Sequence, residues 1–204
     1  MDKEKLVSFS LGSFQTNSYL LFNEYKKDAV VIDAPSGIEK VLKFAVNNSL
    51  NIRGVIITHG HIDHIAGLEG IDIPFYIYKD EEDFLYNPDM NFSSLFGEPL
   101  SLGRKPRIIE DGDLQIGPFK MDILHTPGHS PGSISVKIGN LLFCGDVLFY
   151  GSIGRTDIPY ASHSLLMDSI RNKIMVMDES VRILPGHGKP TTIGRELKNN
   201  PFLR

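Results

Sequence analysis

The chain has 204 residues, of which 41% are hydrophobic and 23% are charged, which is typical of an ordinary globular protein. This composition excludes collagen-like, coiled-coil and intrinsically disordered chains. A chain of this length buries about 70% of its unfolded surface without needing disulfides, so we expect residues 1–204 to form a single domain. The formal charge of -4 disfavours nucleic acid as a partner.

The chain's one cysteine, Cys144, lies in an apolar run and cannot form an internal disulfide. A buried thiol in a reducing compartment is the interpretation that fits it. No long apolar region follows Met1, and no stretch approaches the ~18 continuous apolar residues of a membrane span. We therefore predict a cytoplasmic protein with no membrane partner.

Hydrophobic periodicity predicts strands interleaved with two helices. Ser36 and Glu39 have the spacing of a capping box, and apolar residues at helical spacing predict that the first helix ends near residues 47–49. The second helix is predicted over about residues 162–177, and the stretch of about 87–106 is expected to be irregular. Strands are predicted at residues 7–11, 17–22, 29–32, 55–57, 75–78, 121–124, 134–138, 141–144 and 181–184.

The predicted helices each have one apolar face, so each should cover a sheet. Many strands interleaved with such helices imply layered sheets with helices on the outside.

Five of the seven histidines fall in three short segments, each after an apolar strand and at a glycine turn. These residues are His59, His61 and His64, then His129, then His187. Asp146 follows another apolar strand in the same way, and ligands of open sheets gather beyond the carboxyl ends of the strands. We therefore expect these side chains to converge at one edge of the fold.

Imidazole suits zinc, iron and related metals, while a carboxylate supplies charge and can bridge two cations. Together with Asp63, the convergent residues make seven potential ligands, which are too many for one tetrahedral ion. They suffice for two ions with a shared water, as in hydrolytic two-metal sites.

The segment from His59 to His64 resembles the HxHxDH signature of the metallo-β-lactamase superfamily, and the spacing to the later ligands matches as well. The resemblance implies an α/β fold, a four-layer αββα sandwich. It further implies two divalent metal ions, zinc first, with iron or manganese as alternatives. The implied assignment places one metal on His59, His61 and His129, the other on Asp63, His64 and His187, and Asp146 between them opposite a bridging hydroxide that acts as the nucleophile.

Within that superfamily, the segments around His129, Asp146, Arg155 and His187 are similar to those of the glyoxalase II group and its shorter bacterial relatives. Those enzymes hydrolyse thioesters of hydroxyacyl-glutathione conjugates. The resemblance therefore implies a small-molecule thioester as substrate. A metal-derived hydroxide and carbonyl polarisation by a metal are compatible with that reaction.

The departures from glyoxalase II concern the substrate. Its basic residue nine positions after the bridging aspartate is kept as Arg155, whereas its two tyrosines are replaced by Asp157 and Lys189. The sequence also ends soon after His187, without the helical domain that supplies basic residues to glutathione. We expect a weak grip on glutathione, with Arg155 as the retained basic contact. An internal ion pair of Arg155 with Asp157 is an equal alternative.

Asp33 follows a strand and resembles the superfamily's aspartate that hydrogen-bonds a ligand histidine or its loop. His125 lacks a partner at ligand spacing and is expected to pack or to support the site, and His163 is expected at the surface. Tyr150 is interpreted as a core aromatic or as part of the pocket mouth.

Three alternatives to a thioesterase stay open. A persulfide dioxygenase of the same superfamily keeps these histidines but binds one iron through the equivalents of His59, His129 and Asp146. A hydrolase of another ester or lactone is the second, and a metal-stabilised binding module without turnover is the third. A β-lactamase is disfavoured, because the zinc enzymes of that kind typically have cysteine where Asp146 stands.

Overall fold

The computed structural model describes residues 4–204, and its strands form two six-stranded sheets and a two-stranded ribbon. The elements up to residue 109 are β1 Glu4–Leu11, β2 Thr16–Asn23, β3 Asp28–Ile32, α1 Glu39–Asn47, β4 Asn51–Ile56, α2 Ile62–Ile65, β5 Phe75–Tyr78 and β6 Arg107–Ile109. The elements after it are β7 Gly112–Ile116, β8 Phe119–His125, β9 Ile134–Ile138, β10 Leu141–Gly145, β11 Leu148–Phe149, β12 Ser152–Ile153, α3 His163–Ser169, β13 Arg182–Pro185, β14 Thr191–Thr192 and α4 Ile193–Asn199. Short 3-10 helices lie at Leu68–Gly70, Lys79–Leu85, Ser93–Phe96 and Pro201–Leu203.

The strand directions bring several strand ends to one edge of the molecule. The first sheet follows the chain order from β1 to β6, and its strands β3 to β6 are parallel. The second sheet has the order β14-β13-β10-β9-β8-β7. Since β9 is antiparallel to both β8 and β10, and β10 is parallel to β13, the strands β8, β10 and β13 share one direction. The loops after these three strands therefore leave the same edge of the second sheet.

Successive residues of a strand face different cores because side chains alternate across a sheet. Leu21 of β2 and Phe143 of β10 meet in the core between the two sheets. Their neighbours point outward: Leu20 packs in a cluster with Val41 of α1, and Leu142 packs in a cluster with residues of α3. The αββα sandwich expected from the sequence is confirmed.

The capping box predicted for the first helix is wrong. Helix α1 begins at Glu39, its N-cap residue is Ile38, and no side chain caps it. The chain turns sharply just before the helix, where Gly37 has a φ of +91°, and this turn places Ser36 outside the helix.

The second helix is shorter as a regular α-helix than predicted. It begins as expected, because the Leu165 amide donates to the Ser162 hydroxyl. After Ser169 the backbone continues as a π-helical stretch, Ile170–Ile174. The wider turn keeps Ile170 and Ile174 fully buried, while Leu165, which was expected on the apolar face, is exposed.

Sequence periodicity missed β6, β7 and α4. Strand β6 has three residues and β7 carries a mostly polar exposed face, so both lack a clear apolar run. The irregular stretch expected near residues 87–106 contains the 3-10 helix Ser93–Phe96 as its one helical element. Within residues 4–204, no helix has both the length and the apolar character that crossing a bilayer requires.

Candidate metal centre

The seven side chains predicted as ligands lie together at the edge where the strands end. His59 and His61 follow β4, and Asp63 and His64 lie in α2 immediately after them. The other three lie in the loops after β8, β10 and β13 and are His129, Asp146 and His187, respectively. Four of the seven, all of them histidines, are buried, while Asp63, Asp146 and His187 are partly exposed.

One set of three histidines, here called the first group, consists of His59, His61 and His129. One nitrogen of each ring lies within 4.8 Å of the others, so the three could hold one metal ion. The His61 Nδ1 and the His129 Nε2 are 3.0 Å apart.

The second group consists of Asp63, His64 and His187, and its ligand atoms also lie within 4.8 Å of one another. Asp63 Oδ2 is 3.0 Å from His187 Nε2 and 3.5 Å from His64 Nε2. Thr16 holds the carboxylate in place, because its hydroxyl donates to the same oxygen at 3.0 Å.

Asp146 lies between the two groups, and its two carboxylate oxygens face the two histidines of the second group. Its Oδ1 is 3.5 Å from His64 Nε2, and its Oδ2 is 3.4 Å from His187 Nε2. The same Oδ2 is 3.6 Å from His129 Nε2 in the first group. A carboxylate in this position is suited to contact two cations at once.

Asp33 fixes the orientation of two of the histidines. It accepts a hydrogen bond from His64 Nδ1 at 2.8 Å, which leaves His64 Nε2 directed at the cluster. Its carboxylate also accepts from the amide and the hydroxyl of Thr58, and the Thr58 hydroxyl oxygen lies 3.2 Å from His59 Nδ1. Since that hydroxyl donates to Asp33, it accepts from the His59 ring, and His59 Nε2 likewise faces the cluster.

Backbone carbonyls orient two further rings. His129 Nδ1 donates to the Arg155 carbonyl at 3.0 Å, and His187 Nδ1 donates to the Phe14 carbonyl at 3.1 Å. Each bond leaves the ring's Nε2 for the centre, as expected for histidines that bind metals.

Glu81 is a part of the centre that sequence reasoning missed. Its fully buried carboxylate accepts from the amides of Gly60 and Gly132, both at 2.7 Å, and so ties the loop of His59 and His61 to the loop of His129. Burial raises the pKa of Glu81 to about 7. The sequence holds no signal for this role, because Glu81 lies among neighbouring acidic residues typical of a solvated surface.

The electrostatics of the two groups differ. Burial, followed by the charge of neighbouring histidines, lowers the pKa of His59 well below its usual value and that of His61 to about 3. Burial also opposes protonation of His64, but Asp33, Asp63 and Asp146 outweigh it and raise the pKa of His64. Burial is likewise outweighed at Asp146, where His64 and His187 hold the pKa well below its usual value. The ionised carboxylate of Asp146 beside the neutral imidazoles of His59 and His61 makes a donor set that attracts cations.

The donor set fits bound divalent cations. Within the part of the chain that the structure describes, three atoms that face the cluster are buried without hydrogen-bond partners: His59 Nε2, His64 Nε2 and Asp146 Oδ1. Such an atom costs about 1–3 kcal/mol unless something satisfies it. Two nitrogens on one tetrahedral zinc ion are about 3.3 Å apart, and the inter-ligand distances of 3.0–3.6 Å lie around that value. A Cβ at Gly186 would come within 2.2 Å of Asp146 Oδ1, so the chain keeps this space free of side chain.

Residues 11–187 match the sequence profile of the metallo-beta-lactamase superfamily. The chain belongs to that superfamily. It is 33% identical to the hydroxyacylglutathione hydrolase GloC of Haemophilus influenzae, over 94% of each chain. In structure it is similar to the B3 metallo-beta-lactamase BLEG-1, at 38% identity and a TM-score of 0.93, over 98% of this chain and 99% of the other. It is also similar to TTHA1623 in a di-iron-bound form, at 31% identity and a TM-score of 0.84, over 97% of this chain and all of the other.

A cavity adjoins the cluster. Its volume is about 740 Å³, within the roughly 300–1,000 Å³ of small-molecule sites. Five of the seven candidate ligands reach its surface: His61, Asp63, His129, Asp146 and His187. Apolar side chains form most of the remaining wall.

Arg155 lines the cavity, but its guanidinium is paired. It forms a two-pronged ion pair with Asp157, with distances of 2.9 and 3.0 Å, and both side chains are largely exposed. The sequence left two interpretations of Arg155 open, a substrate contact and an internal ion pair with Asp157. The structure contains the ion pair, and a substrate contact by Arg155 stays a prediction.

The other residues that the sequence analysis considered lie outside the cluster of candidate ligands. His125 stacks on Tyr78 with ring centroids 4.3 Å apart, and His163 is exposed as the first residue of α3. Tyr150 is partly exposed and lies between the cationic groups of Lys189 and Arg195. The lone thiol, Cys144, is buried as predicted.

Proposed function

We propose that the protein is a two-metal thioesterase that hydrolyses hydroxyacyl-glutathione-type thioesters. The observation that carries this proposal is the convergence of seven ligand-type side chains beside a cavity of small-molecule size. Its similarity to the Haemophilus influenzae hydrolase GloC favours this substrate class over other esters.

Two bound divalent ions, zinc first with iron or manganese as alternatives, would supply a hydroxide nucleophile near neutral pH and polarise the substrate carbonyl. The di-iron form of TTHA1623 makes iron a real alternative to zinc. His59, His61 and His129 would hold one ion, Asp63, His64 and His187 the other, and Asp146 would contact both.

The protein's own contribution is to fix this constellation before substrate arrives. Asp33, Thr58 and the carbonyls of Phe14 and Arg155 set the tautomers of four of the five histidines, so these four rings are already oriented for turnover. The apolar cavity wall excludes water from the bound thioester, which strengthens the polar contacts made there.

The test is hydrolysis of S-lactoylglutathione by the purified protein, with its metal content measured in the same preparation. We expect turnover to track metal content and to be lost in Asp146→Ala. Asp168→Ala, which removes an exposed carboxylate on α3, is the matched control and should keep both metal and activity. Oxygen consumption with glutathione persulfide and no thioester hydrolysis would contradict the proposal and favour a dioxygenase.

Lactam hydrolysis is a second candidate. The sequence disfavoured it, but the high TM-score and 38% identity to BLEG-1 over nearly the whole chain favour testing it. A panel of penicillin, cephalosporin and lactone substrates in the same assay separates this activity from the thioesterase.

The single domain over residues 1–204 and the cytoplasmic location both stay predictions. The buried, unpaired thiol of Cys144 supports a reducing compartment. A thiol-blocking assay checks the burial of Cys144, which should react only after the protein is denatured.

A further inference from the structure

Three apolar side chains form an exposed wall at the metal centre, which we call the apolar wall: Phe14, Leu95 and Phe96. Their exposed fractions are 45%, 75% and 56%. All three line the cavity that contains the candidate ligands, and the rings of Phe14 and Phe96 meet edge to face with centroids 5.0 Å apart. Clustered exposed apolar side chains on a soluble protein mark a place where an apolar group binds.

The wall is tied to both groups of the centre. The carbonyl of Phe14 holds His187, a member of the second group. Phe92, three residues before Leu95, places its ring 4.7 Å from the ring of His61 in the first group. An acyl group whose carbonyl reached the centre would therefore extend directly along this wall.

The charged side chains of the cavity are distributed unequally between its two sides. Among the described residues that line the cavity, the one Lys or Arg is Arg155, which belongs to the segment after β10. The wall comes from the β1–β2 turn and the 3-10 helix Ser93–Phe96. On the wall side the charged lining residue besides the candidate ligand Asp63 is Asp89, whose carboxylate accepts from Ser94 at 2.6 Å. The wall side thus offers apolar surface and no Lys or Arg side chain, and we expect the thiol part of the substrate to lie on the Arg155 side.

Space for a larger acyl group continues past the wall. A second cavity of about 650 Å³ shares Phe14 and Phe96 with the first and is lined further on by Leu11 and Leu100. Two aromatic side chains therefore present apolar surface to both cavities.

We propose that the preferred substrate carries an extended apolar acyl group, longer than acetyl or lactoyl, which packs on Phe14, Leu95 and Phe96. This inference rests on the proposed thioesterase and specifies the acyl part of its substrate. Burying a methylene stabilises a complex enough to raise kcat/KM about three- to fourfold, so chain length is a sensitive probe of the wall.

The first experiment compares acetyl, butyryl, hexanoyl and octanoyl thioesters of glutathione with the metal-loaded protein. We expect kcat/KM to rise at least about tenfold from acetyl to octanoyl. In the double variant Leu95→Ser, Phe96→Ser the octanoyl-to-acetyl ratio should fall at least about fivefold. Leu197→Ser, which removes an exposed leucine of α4 outside both cavities, is the matched control and should keep the parent ratio.

The second experiment measures binding without turnover. Calorimetry compares S-octyl and S-methyl glutathione, which are thioethers and cannot be hydrolysed, on the parent, the double variant and the control. The parent and Leu197→Ser should bind the octyl compound at least about tenfold more tightly, and the double variant should lose most of that preference.

The outcomes separate the two proposals. Absence of hydrolysis of every thioester together with octyl preference in binding contradicts the thioesterase and keeps the apolar subsite. Hydrolysis without dependence on acyl length, together with equal binding of the two thioethers, keeps the thioesterase and overturns the apolar wall as a subsite.

Discussion

The two groups of candidate ligands differ in burial and in the charge of their side chains. The first, His59, His61 and His129, is made of imidazoles that are at most 5% exposed, and burial lowers the pKa of the first two. The second includes a carboxylate and the side chain of His187, which is 28% exposed, and burial at His187 is outweighed by Asp146 and Asp63, which raise its pKa to about 10. The first group is thus buried, and burial keeps the imidazoles of His59 and His61 neutral and able to bind a metal. The second group lies at the cavity surface, where carboxylates orient its histidines. An ion in the second group is therefore the more exposed to solvent and chelators.

The largest effect is expected when Asp146, the residue that the two groups share, is replaced. In Asp146→Ala the two groups lose their common carboxylate, which is one of the three carboxylates around His64, and we expect most of both metal ions to be lost. Elemental analysis of parent, variant and the Asp168→Ala control measures this. Equal metal content in parent and Asp146→Ala would contradict the shared role.

Glu81→Gln affects the first group alone, because Glu81 ties that group's two loops together. The pKa of Glu81 is raised in the folded protein, so the folded state binds more protons, and stability from this group is lost as pH rises from about 4.5 through about 7. The measurement is urea unfolding of chelator-treated protein at several pH values. The free energy of unfolding of the parent minus that of Glu81→Gln should fall by up to ~3 kcal/mol between pH 5 and pH 8.

The control for this measurement is Glu82→Gln, at a partly exposed neighbour. A parent-minus-variant difference that is flat with pH, or a matching change in Glu82→Gln, would show that Glu81 is already ionised in the folded state.

Asp33→Asn sharpens the comparison by acting unequally on the two groups. Asp33 bonds His64 of the second group directly and reaches His59 of the first through Thr58. Losing such a partner weakens metal binding by about 10- to 100-fold, and we expect the second group to be the more affected. Competition with a chromogenic chelator resolves the two affinities, and an equal loss at both would contradict the direct-versus-indirect distinction.

The smallest expected effect concerns neither group. Arg155→Ala should raise KM for S-lactoylglutathione by about three- to tenfold with little change in kcat, because an exposed charge contributes to binding more than to chemistry. Asp157→Ala frees the guanidinium and should lower KM. If Asp157→Ala raises KM as Arg155→Ala does, the pair supports the loop and does not contact the substrate.

Apolar periodicity predicted layered sheets covered by helices because it is a local property of strands and helices, and the strands at residues 75–78 and 134–138 lie as predicted. The four-layer αββα arrangement followed from the family resemblance. It found the seven candidate ligands because their spacing is a family signature. It missed Glu81, whose role depends on two amides that are distant along the chain, Gly60 and Gly132. The cap expected from Ser36 was wrong for a similar reason: the turn at Gly37 decides where the helix begins.

The apolar wall could not be predicted from the sequence either. Phe14, Leu95 and Phe96 have no periodic pattern in common, and the last two lie in the stretch expected to be irregular. Their side chains meet because the β1–β2 turn and the 3-10 helix Ser93–Phe96 come to the same side of the cavity. Tertiary placement of loops, unlike strand periodicity, leaves no local signal.

The ligands come from loops after strands of both sheets, and this arrangement couples the metal centre to folding. Asp33 and His64 belong to the first sheet's half, while His129, Asp146 and His187 belong to the second, so neither half holds a complete site alone. The centre can form only after the sheets have docked, late along a route rich in contacts between distant residues. The binding free energy of the metals then adds to the stability of the docked state and not to that of either half. Metal loading should therefore slow unfolding far more than it speeds folding. The ions bind after the fold has formed and raise the barrier to its unfolding.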